Sequence, residues 1–243
     1  MTPGAGHPAF PTITPGPVHR WGGAALVVAR RPALHRPPPL SAAEQRVLEA
    51  LPVRRHAEWT QGRLLAKRLV GDVLAVPPAE VEVLPRDDGS PHLVVGGAPT
   101  PSWHVSVSHT TGHAAAALAP QPVGVDLCET ASAAAVHRAA DHVLSPAERT
   151  LVGTDRPEAA AAAWALKEAA VKADRSSLFG PAPRRIALLA LHPPLLTGRR
   201  HTMLWHTDNT VLALVLAPPP PSDTCSGRRP EAPPQDPPAG RGP

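Results

Sequence analysis

Proline sets the outer limits of what this chain can fold into. Prolines stand at positions 3, 8, 11, 15 and 17, and four in succession open the segment Pro218–Pro243. Proline has no amide proton to give to a ladder or a helix. Segments so rich in it, and so poor in apolar side chains, bury too little to offset the entropy of ordering. The sequence therefore predicts two disordered tails, 1–20 and 218–243, with folded structure and function confined to about 21–217. A span of that size holds one large domain or two of roughly 100 residues, and either can bury its own core.

Within those limits, hydrophobic periodicity lays out a series of elements that occurs twice. Gly23–Arg30 reads as an apolar strand, and a helix is expected to start near Ser41. A longer amphipathic helix from about Arg54 to Leu74 places Leu65, Leu69 and Val73 on one stripe. Strands at Val81–Leu84 and Pro91–Val95 flank an Asp88-Gly89 turn. Trp103–Ser108 alternates, with Trp103, Val105 and Val107 on one face and His104, Ser106 and Ser108 on the other, and Ala114–Leu118 is expected to pair with it. The second series opens with a strand at Val123–Cys128 and helices near Ala131–Val143 and Ser145–Leu151. An alanine-rich helix follows, about Pro157–Ala173, for which Asp155 and Glu158 read as a capping box. Strands near Arg185–Leu191, Met203–His206 and Val211–Leu216 close it. The predicted fold is α+β, built of two similar halves, 21–120 and 121–217, with a ligand cleft at their junction.

Composition narrows the function classes. Two cysteines, Cys128 and Cys225, far apart in sequence, form no disulfide framework and no Cys-x-x-Cys motif, which suits a reducing cytoplasm. The apolar run Ala24–Ala29 is too short for a membrane span, and no signal peptide is visible. The formal charge of +4 comes with no tyrosine and two phenylalanines, so a nucleic-acid reader would have few aromatic platforms for stacking. An anionic small ligand or an acidic protein partner suits the same charge. Of the 24 basic residues only Lys67, Lys167 and Lys172 are lysines. In a chain that otherwise uses arginine, a lysine marks a site wanting a compact ammonium or is a chance of coding.

Four groups of residues carry chemistry. Asp126 lies at the centre of an apolar strand, where a carboxylate is costly unless paired; a cation is the simplest partner, and a bond to a turn is the ordinary alternative. Trp164, Glu168 and Lys172 are spaced by four and share a helix face, either as a site or as a solvated surface bridge. Ser106-Val107-Ser108-His109-Thr110 ends a strand with hydroxyls and an imidazole able to donate to phosphate, although a surface histidine is the plainer reading. Arg54, Arg55, Arg63, Lys67 and Arg68, with Arg86, form either a phosphate clamp or a charged helix face. There is no Gly-x-Ser-x-Gly elbow, Walker loop or dinucleotide fingerprint.

Together these residues resemble the 4′-phosphopantetheinyl transferase superfamily. Its signature is a Gly-Val-Asp strand followed some forty residues later by Trp-x-x-Lys-Glu-Ala-x-x-Lys, matched here by Val123–Cys128 and Trp164–Lys172. Asp88–Pro91 looks like the family's Gly-Lys-Pro turn, Ser106–Thr110 like its Asn-x-Ser-His-Ser strand, and Arg54–Leu69 like its arginine-bearing helix. The resemblance runs over about 21–217 and points to the longer, monomeric class of two similar halves. It implies transfer of phosphopantetheine from coenzyme A to a serine of an acyl or peptidyl carrier protein, releasing 3′,5′-ADP. It further implies that Asp126 and Glu168 hold magnesium, and that Lys172, supported by Lys167, contacts phosphate. Ser108 and His109 would grip phosphates near the adenosine, and Arg54, Arg63 and Arg86 would clamp the 3′-phosphate and pyrophosphate. Glu168 or a metal-held water would accept the serine proton. Two positions depart from the pattern: Cys128 stands where many relatives have a second strand acid, and Ser90 replaces the turn lysine. They favour the main alternative, a non-catalytic relative that binds coenzyme A or carrier protein. The more distant alternative is a basic nucleic-acid-binding protein.

Overall fold

The computed structural model describes residues 10–31, 40–176 and 182–218. The first series of elements is β1 (Val18–Trp21), β2 (Ala24–Arg30), α1 (Ala42–Ala50), α2 (His56–Leu74), β3 (Val81–Pro85), β4 (Pro91–Val95), β5 (Ala98–Pro99), β6 (His104–His109) and β7 (His113–Ala119). The second is β8 (Val123–Glu129), α3 (Ala133–Val143), α4 (Pro146–Val152), α5 (Pro157–Ala173), α6 (Ala182–Arg185), β9 (Leu188–Leu191), β10 (Pro194–Leu196), β11 (His201–Thr207) and β12 (Thr210–Leu216). Helix and strand are mixed throughout, as expected of an α+β fold.

Two antiparallel sheets carry the architecture, ordered β1-β2-β7-β6 and β11-β12-β8. Period-two alternation gives each strand two apolar faces. In the first sheet Ala25, Val27, Ala114, Ala116 and Leu118 pack with Leu65, Leu69 and Val70 of α2. Their alternates Ala24, Leu26, Val28, Ala115 and Ala117 meet Val123, Val125, Leu127, Leu212 and Leu214 of the second sheet. The far side of that sheet, with Cys128, Ala213 and Val215, buries the alanines of α5. β2, β7 and β12 are thus packed on both faces, which explains why they read as nearly continuous hydrophobic runs.

A buried ion pair locks each long helix to its neighbours, and the two are built alike. Ser41 and Glu44 form a capping box at the start of α1, and Ser145 and Glu148 form one at α4. Glu44 also accepts from Lys67 of α2 at 2.7 Å and from the Val83 N–H of β3 at 3.0 Å. Glu148 pairs with Lys167 of α5 at 2.5 Å and accepts from the Leu188 N–H of β9 at 2.6 Å. Burial works to raise the Glu148 carboxyl, but its bonds from Leu188, Lys167 and Ser145 hold it below the usual range. Each glutamate therefore ties a capped helix, a long helix and a strand into one unit.

Three local expectations are corrected. The capping box predicted from Asp155 and Glu158 does not form; α5 starts with Pro157 in its first turn and has Arg156 as an uncapped N-cap. The predicted strand over Arg185–Leu191 begins only at Leu188, because Ala182–Arg185 is a helical turn. The tail 1–20, predicted to be disordered, is ordered through its described part. Phe10 and Ile13 are buried, and Val18–Trp21 pairs with β2. Ile13 N–H donates to the His206 carbonyl at 2.9 Å and His206 N–H to the Pro11 carbonyl at 3.0 Å, so this segment runs beside β11 of the other sheet. The remainder of both predicted tails, 1–9 and 219–243, lies outside the described residues.

Candidate active site

The two sheets approach at their edge strands, β6 and β8, and the candidate site grows from that seam. Ser106 Oγ accepts from the Val125 N–H at 3.0 Å and Ser108 Oγ from the Leu127 N–H at 3.1 Å. These hydroxyls take the place of the carbonyls that a continuous ladder would supply. Beyond the seam opens a cleft of about 330 Å³, lined by β6, the start of α2, the Arg86–Pro91 turn and the end of α5.

Asp126 sits at the centre of β8, and its face of the strand is fixed by Gly124. A Cβ on Gly124 would lie 1.7 Å from the Ala169 carbonyl oxygen, so only glycine allows α5 to lie this close. That approach brings Lys172 onto Asp126 Oδ1 at 2.6 Å and within 3.9 Å of Glu168 Oε2. Asp126 is buried, Glu168 keeps 17 % of its side chain exposed, and Lys172 reaches the cleft. Burial, reinforced by the Asp126 charge, pushes the Glu168 carboxyl up to about 7; Lys172 and the Trp164 indole N–H act the other way. Two acids thus share one ammonium, and of the three only Lys172 lines the cleft. Such a group is short of positive charge, and its hard oxygen donors suit a divalent cation that takes its remaining ligands from phosphate and water. Among the described residues no cluster of three or more His, Cys, Asp or Glu side chains is placed to hold a metal ion.

The second strand acid is not recovered from Glu129. β8 pairs with β12 in unbroken register from Val123 to Glu129, so no bulge turns Glu129 toward Asp126; its side chain accepts instead from the Gly112 N–H. Cys128 does share the Asp126 side of the strand. Burial, with the nearby Asp126, Glu168 and Glu129 charges, pushes its thiol up to about 12.

The cleft itself is cationic. Arg55, Arg63, Arg86, Lys172 and Arg175 line it with His104 and His109, against Glu58 and Asp88. Arg63 lies over the Trp59 ring at 4.4 Å and donates to the Val83 carbonyl; its burial lowers it to about 10. His109 pairs with Glu58 at 3.0 Å. Arg86 donates to the Pro91 carbonyl, and burial followed by the Arg175 charge lowers it from the usual arginine value. Crowded like charges of this kind are relieved by an anion, and planar guanidinium groups suit phosphate.

Of the residues singled out from sequence, Asp126, Glu168 and Lys172 come together, and Arg63, Arg86, His109 and Lys172 line the cleft. Three placements correct the expectation. Lys167 is fully buried on Glu148 and the Pro183 and Ile186 carbonyls, and has no part in the cleft. Arg54 is exposed in the turn Val53–Arg55, and its neighbour Arg55 lines the cleft instead. Ser108 is not a cleft-lining residue: its hydroxyl donates to Asp126 Oδ1 at 2.7 Å. Sequence reading missed Glu58, His104 and Arg175. Arg175 had a local signal, because it follows the last lysine of the helix motif, where the chain must leave the helix; it does so with φ of 50°.

Residues 122–215 match a family model described as the 4′-phosphopantetheinyl transferase superfamily. The match spans β8 to β12 and so includes Asp126, Glu168 and Lys172. It therefore supports a transferase of the phosphopantetheinyl group in this segment of the chain. No curated protein matches the chain.

Proposed function

We propose that this protein transfers the 4′-phosphopantetheine group from coenzyme A to a serine hydroxyl of an acyl or peptidyl carrier protein, with magnesium as the metal. The observation that carries the reading is the pairing of two acids and one lysine across β8 and α5, inside the matched segment and beside a cleft lined with arginines. Asp126 and Glu168 would hold the cation. When bound, magnesium supplies charge neutralisation for the pyrophosphate and the departing 3′,5′-ADP. Lys172, Arg63, Arg86, Arg55 and Arg175 bind and orient the phosphates. The carrier serine oxygen bonds to the phosphorus on the pantetheine side as that atom's bond to the bridging pyrophosphate oxygen breaks. The serine proton passes to Glu168 or to a water held by the metal.

The repeated glutamate–lysine clip, with its capped short helix and following strand, supports two similar halves in the manner of the longer, monomeric class. With that class come a monomeric state and a cytoplasmic location. Among the described residues no helix is long and apolar enough to cross a membrane.

Intact-mass measurement of apo carrier proteins incubated with the protein, coenzyme A and magnesium tests the reaction. The expected result is a gain of one phosphopantetheine that EDTA prevents. Glu168→Gln should lower the rate by about 10²–10⁴-fold. The second reading, a non-catalytic binder of coenzyme A or carrier protein, is favoured by Cys128, which stays a neutral thiol where a further acid would help hold the metal. Coenzyme A binding without any mass shift on fatty-acid, polyketide and peptide carriers would select it.

A further inference from the structure

Ser108 was expected at the phosphates, yet its hydroxyl is committed elsewhere. Ser108 is 5 % exposed and Asp126 4 %, so the contact between them is shielded from water. The hydroxyl has one proton, which it donates to Asp126 Oδ1 at 2.7 Å, and it accepts from the Leu127 N–H at 3.1 Å. Lys172 Nζ meets the same carboxylate oxygen at 2.6 Å. Among the described residues both hydrogen bonds from side chains to this carboxylate converge on Oδ1, and none falls on Oδ2. Ser106, two residues earlier on the same face of β6, makes the matching seam bond to the Val125 N–H without touching Asp126. Of the two serines only Ser108 touches Asp126, and only Ser106 lines the cleft.

We propose that Ser108 is a positioning residue: it holds Asp126 through Oδ1 so that Oδ2 is presented to the divalent cation. This rests on the reading of Asp126 as a metal ligand. Hydrogen bonds to a ligating carboxylate fix its orientation, and their loss typically weakens metal binding by about 10–100-fold. If Ser108 acted instead as a phosphate donor, its loss would weaken coenzyme A itself, with or without metal.

The test is titration of the full chain with Mn²⁺ in the presence of coenzyme A, read from the electron paramagnetic resonance signal of free Mn²⁺. Coenzyme A affinity in EDTA is measured alongside. Ser108→Ala should weaken Mn²⁺ by about 10–100-fold and leave metal-free coenzyme A affinity within about twofold of wild type. Ser106→Ala, which removes the matching seam bond, should retain wild-type Mn²⁺ affinity when coenzyme A is saturating for that variant. Should the alanine variant melt below the assay temperature, Ser108→Cys keeps the volume, weakens the donor and reads the same loss. Unchanged Mn²⁺ affinity in the Ser108 variants overturns the proposal, as does an equal loss in Ser106→Ala. A loss of metal-free coenzyme A binding also overturns it. Asp126→Asn is the separate control: if it binds Mn²⁺ like wild type, the metal reading itself falls and the Ser108 proposal falls with it.

Discussion

At the scale of single residues, the three lysines divide by their surroundings. Lys67 and Lys167 lie fully buried on glutamates, whereas Lys172 meets Asp126 at the margin of the cleft. Of the three, only Lys172 lines the cleft. Glu168 carries the sharpest consequence of its environment. In the metal-free folded protein it holds its proton up to about 7, against an ordinary value of 4.5. Between those values the unfolded chain has already lost that proton, so the Glu168 contribution to stability is full below about 4.5 and is lost as pH rises through 7. Glu168→Gln, neutral at every pH, should therefore melt like wild type near pH 4.5 in EDTA. At pH 8 it should be more stable than wild type by about 2–3 kcal/mol. Thermal melts at the two pH values check this, and equal stability at pH 8 would remove the assignment.

At the scale of elements, the contact between β8 and α5 decides whether the acids meet. A methyl group on Gly124 would collide with the helix backbone at Ala169 rather than with a movable side chain, so the helix itself must shift. Gly124→Ala is expected to cost about 1–3 kcal/mol, the range for overpacking a closed interface, and to separate Lys172 from Asp126. Denaturant melts combined with metal-ion affinity distinguish this from simple loss of packing, because both should fall together. The alanines that fill α5 serve the same contact: small side chains let a helix lie close against a strand. Their signal in the sequence is high helix propensity, but their work in the fold is the short distance.

At the scale of the whole molecule, the seam between β6 and β8 joins two sheets, and the N-terminal segment passes from one to the other. Phe10 stacks on His192 at 4.7 Å within the core around α5, and Ile13 fills the layer between the sheets. A segment that sequence alone assigned to a tail therefore helps hold the two sheets together. Ile13 is 1 % exposed, and Ile13→Ala should cost about 2–5 kcal/mol in a denaturant melt. A cost below about 0.5 kcal/mol would mark residues 10–13 as peripheral.

The sequence by itself determined the element series, since periodicity in strands and helices is a local consequence of side-chain geometry. It also singled out Asp126 and the Glu168–Lys172 pair, but separately: the residues alone left a turn bond and a surface bridge open, and only the family resemblance put the three at one site. Only the tertiary structure decided the rest. Lys167 and Lys172 are close in sequence and alike in chemistry, yet a rotation of the helix buries one on Glu148 and presents the other to the cleft. Ser108 reads as a phosphate donor until β8 is brought against β6 and Asp126 accepts its hydrogen bond. Phe10 and Ile13 sit among prolines that forbid regular structure locally, but a distant strand supplies the hydrogen bonds and apolar surface that order them. Each of these outcomes depends on contacts between residues far apart in the chain, and local pattern carries no information about which of those contacts will form.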